Sequence, residues 1–211
     1  LAVMLLTTSG LADAPPRPAG VVSNVKVLSD KVADVSSVEA WQASYLKRGM
    51  SAEEKALAVW RSVVAHQHQN PPPVEYLQSD NVVLDPIKMF NVYGYGLCMV
   101  HASHVAALAR AAGLEARNQT IVRHCVAEVR WDDEWHMVDA SLVNYFPKPN
   151  GKLASVDEII ADIAAFYAKH PELKSNPEGL EKFPQEQKWK TGPALLASTP
   201  FYDSDGLLAA T

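Results

Sequence analysis

The sequence predicts an α+β fold in which a core helix packs on a small antiparallel β-sheet. Apolar residues recur at helical spacing between Cys98 and Ala112, which is typical of a helix with one buried face. Polar and apolar residues alternate in segments 124–130 and 135–140, as they do in half-buried strands. The length of 211 residues, 48% of them hydrophobic, is enough for one core, or for one core with an appendage.

Two helices are predicted before this central region, each from a capping box in which Ser and Glu stand three residues apart. The box Ser36–Glu39 predicts a helix that runs through Arg48. The box Ser51–Glu54 predicts a second helix, which extends to about His68 and carries a clear apolar stripe.

Three further elements follow from local signals. Asp85 followed by Pro86 is typical of an N-cap with proline at the first helical position, and it predicts a short turn before the Cys98 region. The weak alternation in Leu114–Val122 predicts the first strand of the sheet. A third capping box, Ser155–Glu158, predicts a helix that runs through Lys169.

The two alternating segments are predicted to form a β-hairpin with Asp132 and Asp133 as its central turn residues. In that register Val126 faces Asp139 across the two strands. His124 then lies on the same face as Asp139, one diagonal step away, and close enough for the side chains to meet. A slip of one residue would destroy this alignment.

Cys98 is a candidate nucleophile because of its place in the sequence. Gly94 and Gly96 interrupt regular structure just before it, and the helix then begins at Cys98. Unpaired backbone N–H groups and the positive end of the helix dipole favour a thiolate there. With His124 as the base and Asp139 as the group that orients the imidazole, the sequence contains the parts of an activated thiol.

Three other interpretations of Cys98 stay open. It is a small apolar residue that fills the core, a partner of Cys125 in a disulfide, or a zinc ligand with His101, His104 or His124. Strand alternation places Cys125 on the sheet face opposite His124, which counts against the disulfide. The two helix histidines are expected at the helix surface, because zinc sites show tighter and repeated ligand spacing.

The motifs around these residues resemble those of the transglutaminase-like (papain-related) superfamily. Gly96-Leu97-Cys98 leads into a helix ending Arg110–Arg117, like the cysteine helix of that superfamily. His124–Val129 and Trp135–Asp139 are similar to its His and Asp strands, in the same order and with the same short spacing. The resemblance covers about residues 51–139, and it implies a papain-related fold with Cys98, His124 and Asp139 as the catalytic triad.

The chain departs from the family pattern beside two of these residues. Eukaryotic transglutaminases usually carry Trp after the Cys, where this chain has Met99. The commonest bacterial His motif continues with Ala-Trp, where this chain has Cys125 and Val126. These differences affect the expected substrate and acyl acceptor more than the expected fold.

An acyl-transfer site also needs hydrogen-bond donors for the oxyanion. The backbone N–H of Cys98 is one candidate, because it lies at a helix start. The loop before it, with Tyr93, Tyr95 and Gly96, is the candidate oxyanion and substrate loop, and one phenol O–H is a second candidate donor. The other tyrosine is expected to pack the loop. Glu128, on the His124 face, is expected to be solvated or in an ion pair.

The resemblance and the triad together predict a thiol-dependent amide or peptide hydrolase or acyltransferase that needs no cofactor and no metal. The expected substrate is a peptide or protein amide, and hydrolysis is preferred over transfer to an amine. The alternative is a catalytically silent transglutaminase-like module that binds or scaffolds within a larger, carbohydrate-active protein. The residues beside Cys98 and His124, and a C-terminal end without an obvious stop, motivate that alternative.

Composition limits the partners and the location. The 19 basic and 24 acidic residues give a net charge of −5, and without a basic patch nucleic acid is not an expected partner. No apolar stretch approaches the ~20 residues of a membrane span. The start of the chain has features of a signal-peptide remnant, so exported and cytoplasmic locations both stay open. The expected organisation is an N-terminal segment (1–35), a transglutaminase-like domain (36–170) and a C-terminal extension (171–211).

Overall fold

The chain is an α+β protein, and the computed structural model describes residues 29–71, 84–121 and 124–173. These segments form helices, a two-stranded sheet and a three-stranded antiparallel sheet. The predicted signal-peptide remnant and most of the predicted C-terminal extension lie outside the described residues. None of the helices in the described part is long and apolar enough to cross a membrane.

Helices α1 (Val38–Tyr45) and α2 (Ala52–His66) come first. The capping box of α2 forms as predicted, with Ser51 and Glu54 exchanging hydrogen bonds between side chain and backbone. The box predicted for α1 is wrong by one residue. Ser37 is the N-cap and accepts a hydrogen bond from the Ala40 N–H, and the helix ends before Arg48 because Leu46 is extended.

The segment before the cysteine helix contains short elements that sequence periodicity cannot detect. Strand β1 (His68–Gln69) pairs in parallel with β2 (Tyr95–Gly96), so α2 ends two residues earlier than predicted. Between them, α3 (Pro86–Lys88) begins at the predicted N-cap Asp85 and continues into a π-helical turn (Met89–Tyr93). This arrangement brings the end of α2 beside the residues that precede Cys98.

The central helix and the hairpin form as predicted. Helix α4 (Cys98–Ala111) is followed by β3 (Glu115–Ile121), β4 (His124–Trp131) and β5 (Glu134–Val138), in the sheet order β3-β4-β5. Val122, the predicted end of the first strand, lies outside the described residues. Asp132 and Asp133 both have positive φ, 50° and 62°, as a two-residue hairpin turn of type I′ requires.

The hairpin register is the predicted one, with Ala127 paired to Val138. The ladder ends one position before Val126 and Asp139, because the Asp139 backbone bonds to Asn144 through both its N–H and its C=O. Asp139 therefore starts a tight turn at the end of the hairpin.

The sheet is covered on both faces. Helices α2 and α4 pack on one face, in a core with Ala127 and Val129 of β4. Helix α5 (Val156–Lys169), which begins at the predicted capping box, packs on the other face against Val126 and Met137. Val35 and Leu173 are also buried in these cores.

Candidate active site

Cys98 is the first residue of α4, as predicted, and its side chain is half-buried. The preceding residue, Leu97, is extended, and its carbonyl accepts hydrogen bonds from the N–H groups of Val100 and His101, so the N–H groups of Cys98 and Met99 lie at the open end of the helix. The Met99 N–H forms a hydrogen bond with the Cys98 sulfur. The thiol therefore sits where backbone dipoles favour its negative form.

Glycine is required in the loop before Cys98. Gly94 has φ +72°, and a Cβ on Gly96 would lie 2.9 Å from Val100 Cγ1 and 3.0 Å from Gln67 Nε2. The close approach exists because β1 docks against this loop, where the N–H groups of His68 and Asn70 donate to the carbonyls of Gly94 and Gly96. The end of α2 thus fixes the backbone that leads into the cysteine helix.

His124 and Asp139 meet as the hairpin register predicts. His124 Nε2 lies 2.7 Å from Asp139 Oδ2, and both side chains are almost fully buried. Because Nε2 is used by Asp139, the other ring nitrogen is left for Cys98, with which His124 also forms a hydrogen bond. The three predicted triad residues are therefore joined in the order Cys98, His124, Asp139.

The turn after β5 holds the Asp139 carboxylate in place. Its second oxygen, Oδ1, accepts hydrogen bonds from the backbone N–H groups of Ser141 and Leu142 at 2.9 Å and 3.0 Å. The backbone carbonyl of Asp139 accepts a hydrogen bond from Trp60 Nε1 at 2.8 Å. Each carboxylate oxygen has a hydrogen-bond partner, so the buried Asp139 side chain is held in one position and can orient the imidazole.

The electrostatics of the three groups support a thiolate–imidazolium pair. The hydrogen bond from His124 lowers the pKa of Cys98, although partial burial opposes that shift. Burial by itself would lower the pKa of His124, but the hydrogen bonds with Asp139 and Cys98 raise it to about 9. Both shifts therefore favour a charged sulfur beside a charged imidazole.

Comparisons with known proteins give no further information on this site. Comparison with protein-family models, with curated proteins and with solved structures gives no match. The functional inference therefore depends on the site itself.

Cys125 is closer to Cys98 than strand alternation suggested. Its side chain does lie on the sheet face opposite Val126, but that is the face covered by α4, the helix that begins with Cys98. Both the backbone N–H and the thiol of Cys125 form hydrogen bonds with Cys98. The inference that alternation separates the two thiols is therefore wrong, although both cysteines are free.

Tyr95 and Gly96, in the loop predicted to serve the oxyanion and substrate, form β2 just before Cys98. The ring of Tyr93 packs against Met89 and Val100, as expected for one of the two tyrosines. Tyr95 pairs with His68 across the two-stranded sheet, and its part in an oxyanion hole stays a prediction. The Cys98 N–H stays the best-positioned donor, because it is at the helix start.

The remaining polar candidates have structural partners. His101 and His104 are buried rather than at the helix surface as expected, and their Nδ1 atoms contact Leu97 O and Gln67 Oε1 at 3.1 Å and 2.9 Å. Glu128 is fully buried in an ion pair, not solvated. Among the described residues, no three His, Cys, Asp or Glu side chains are grouped to hold a metal ion.

Sequence analysis missed the residues that support Asp139. Trp60 belongs to the apolar stripe of α2, and nothing local indicated that its N–H reaches Asp139. Ser141 donates through its hydroxyl to Gln69 Oε1 at 2.7 Å, which connects the Asp139 turn to β1. The sequence Asp139-Ala-Ser141 is a usable signal, since Asp often accepts a hydrogen bond from the N–H two residues later.

Proposed function

We propose that this chain is a transglutaminase-like, papain-related thiol enzyme that cleaves a carboxamide or peptide bond through an acyl-enzyme. The observation that carries the proposal is His124, which is hydrogen-bonded to Cys98 on one side and to Asp139 on the other. A thiol, a base and a group that orients the base are the parts that nucleophilic acyl transfer needs. The reaction needs no cofactor.

The chemistry follows from the charge state of the pair. The Cys98 thiolate attacks the carbonyl carbon, and the carbonyl oxygen becomes an oxyanion. When the C–N bond breaks, imidazolium His124 gives its proton to the leaving amine. His124, now neutral, then takes a proton from water, which attacks the thioester and releases the acid. Asp139 holds the imidazole in one orientation and stabilises its positive form through both halves of the cycle.

The helix start supplies the first donor for the oxyanion. The Cys98 N–H points out of the first turn of α4 without a partner in the helix. The oxyanion and substrate loop of Tyr93, Tyr95 and Gly96 precedes it, and Tyr95 is the proposed source of a second donor. Because β1 fixes this loop, the donors are preorganised rather than recruited by the substrate.

The surface beside the thiol favours an apolar substrate segment. Leu97 and Met99 flank Cys98 in the chain, and they are 44% and 45% exposed, so two large apolar side chains lie at the surface beside the half-buried thiol. We therefore expect apolar side chains next to the amide that is cleaved. We prefer water as the acyl acceptor, and amine incorporation that outpaces hydrolysis would contradict this preference.

The proposal is tested with a mixture of peptides that carry backbone and side-chain amides, with and without an added primary amine. Products are identified by mass for the unaltered chain and for Cys98→Ala. Release of an acid or a free amine that Cys98→Ala abolishes supports the enzyme. If Cys98 proves to have a low pKa but no amide in a broad set is cleaved, the silent binding module becomes the better hypothesis.

A further inference from the structure

A second thiol lies in contact with the nucleophile. Cys125 is the residue after the base His124, and its thiol and backbone N–H both form hydrogen bonds with Cys98. Its sulfur also contacts Thr120 Oγ1, at 3.9 Å, on the neighbouring strand. Both cysteines are only half-buried, so a small oxidant can reach them. Amide cleavage by the triad gives Cys125 no role.

The two thiols differ in the way that an attacking and a resolving cysteine differ. Burial raises the pKa of Cys125, whereas the hydrogen bond from His124 lowers the pKa of Cys98. Oxidants react with thiolates rather than thiols, so Cys98 is the sulfur that a peroxide oxidises first. Cys125 is then the nearest thiol to the oxidised sulfur.

We propose that Cys98 and Cys125 form a reversible disulfide under hydroperoxide, which switches the nucleophile off and protects it from irreversible oxidation. The switch rests on the same Cys98 thiolate as the proposed function. It concerns the control of that thiolate, and it can be detected without any substrate.

The reaction balances in two steps. The Cys98 thiolate attacks one oxygen of the hydroperoxide, the O–O bond breaks, and Cys98 becomes a sulfenic acid while hydroxide or alkoxide leaves. The Cys125 thiol then attacks the Cys98 sulfur, the S–O bond breaks, and water leaves with the thiol proton. The two sulfurs together lose two electrons, and the peroxide gains them. Reduction by an external dithiol restores both thiols.

The test is peptide mass mapping after treatment with hydrogen peroxide at a small molar excess. The reduced chain is oxidised, denatured, alkylated and digested, and a linked peptide pair that contains Cys98 and Cys125 is expected. Native-state alkylation of Cys98 should be lost on oxidation and should return almost completely after dithiothreitol. Dilution of the protein should not change the yield, since the bond is within one chain.

Cys125→Ser and Cys125→Ala are the decisive variants, and each is compared with its own untreated sample. Without Cys125, Cys98 should pass to sulfinic or sulfonic acid, and dithiothreitol should not restore its reactivity. Two variants are used so that a folding defect in one does not hide the result. The switch is overturned if the unaltered chain shows overoxidised Cys98 and no link, or if both variants recover as well as it does. A link without amide cleavage would overturn the enzyme alone.

Discussion

Two carboxylates, those of Glu128 and Asp139, are buried at the antiparallel sheet. Their partners differ, and the difference indicates which pair stabilises the fold and which can take part in a reaction. Glu128 and Asp139 are both almost inaccessible to solvent, at 0% and 1%. Glu128 is paired with Arg117, at 2.7 Å, and it also accepts hydrogen bonds from Gln119 and from the Val156 N–H at the start of α5. Asp139 is paired with His124, also at 2.7 Å.

The difference lies in the cation. Arginine stays protonated at every relevant pH, and Arg117 contacts Glu128 through Nε and Nη2, so this pair connects β3 to β4 without a proton to exchange. Histidine titrates and has a second ring nitrogen, so the pair with Asp139 can act on Cys98. Of the two buried pairs, only the one with His124 has a cation that can exchange a proton with a nucleophile, which is why we propose it as the functional one.

The largest expected effect is on catalysis. Asp139→Ala should lower kcat for amide cleavage by roughly 10²- to 10⁴-fold, because His124 loses the group that fixes its orientation and its charge. Asp139→Asn, which keeps an acceptor without the charge, should lie between. Glu128→Gln is the matched control and should leave kcat close to that of the unaltered chain. Equal losses at both positions would remove the distinction between the two carboxylates.

We expect a change at Glu128 to affect the stability of the fold rather than kcat. Glu128→Ala should lower the free energy of unfolding by about 3 kcal/mol, the lower part of the range for breaking a buried ion pair, because Arg117 is partly exposed. Urea denaturation measures it. Glu115→Ala, which breaks an exposed pair with Arg130, should unfold at nearly the same urea concentration as the unaltered chain. A similar loss of stability in Glu128→Ala and Glu115→Ala would mean that burial of the Glu128 ion pair does not add to the stability of the fold.

A pH profile gives a smaller but diagnostic effect. The ion pair needs Cys98 deprotonated, so kcat/KM should rise with pH on the acid side, below the ordinary cysteine range, because the pKa of Cys98 is lowered. It also needs His124 protonated, so kcat/KM should fall as the pH passes about 9. Asp139→Asn should move the alkaline limb to lower pH. An alkaline limb that stays in place would mean that Asp139 does not sustain the charge on His124.

The smallest expected effect is on the free energy of unfolding, and it concerns the turn that carries Asp139. Val143 has φ +55° and is 44% exposed, an unfavourable conformation for a β-branched residue. Val143→Gly should raise the free energy of unfolding by about 1 kcal/mol, since relief of strain exceeds the entropy cost of glycine. Thermal denaturation measures the change. Val92→Gly, at an exposed valine without positive φ, should destabilise the chain instead.

Local signals predicted most of the framework. The boxes at Ser51 and Ser155 and the turn at Asp132-Asp133 need only residues within four positions of each other, and all three form as expected. The same rule failed at α1, where two serines are adjacent. Ser36 and Ser37 are both acceptable N-caps, and only the context of the fold selects one. The contact between His124 and Asp139 was predictable because the register of the hairpin brings the two side chains together.

Contacts between distant segments could not be predicted. The pairing of His68–Gln69 with Tyr95–Gly96 involves two residues on each side, which is too short for any periodicity. The Trp60 contact with Asp139 crosses from α2 to the end of the hairpin. Cys125 was assigned to the correct face of the sheet. Its distance from Cys98, however, depends on which face α4 covers, and alternation within one strand does not indicate which face a helix covers.

The most direct test of the triad is the pH dependence of Cys98 alkylation by iodoacetamide, followed by peptide mass in the unaltered chain and in His124→Ala. Glu128→Gln serves as the control for an unrelated buried change. The triad predicts that Cys98 reacts with a midpoint well below the ordinary cysteine value of about 8.5, and that the midpoint rises toward that value without His124. A midpoint near 8.5 in all three proteins would contradict the thiolate–imidazolium pair and the enzyme proposed from it.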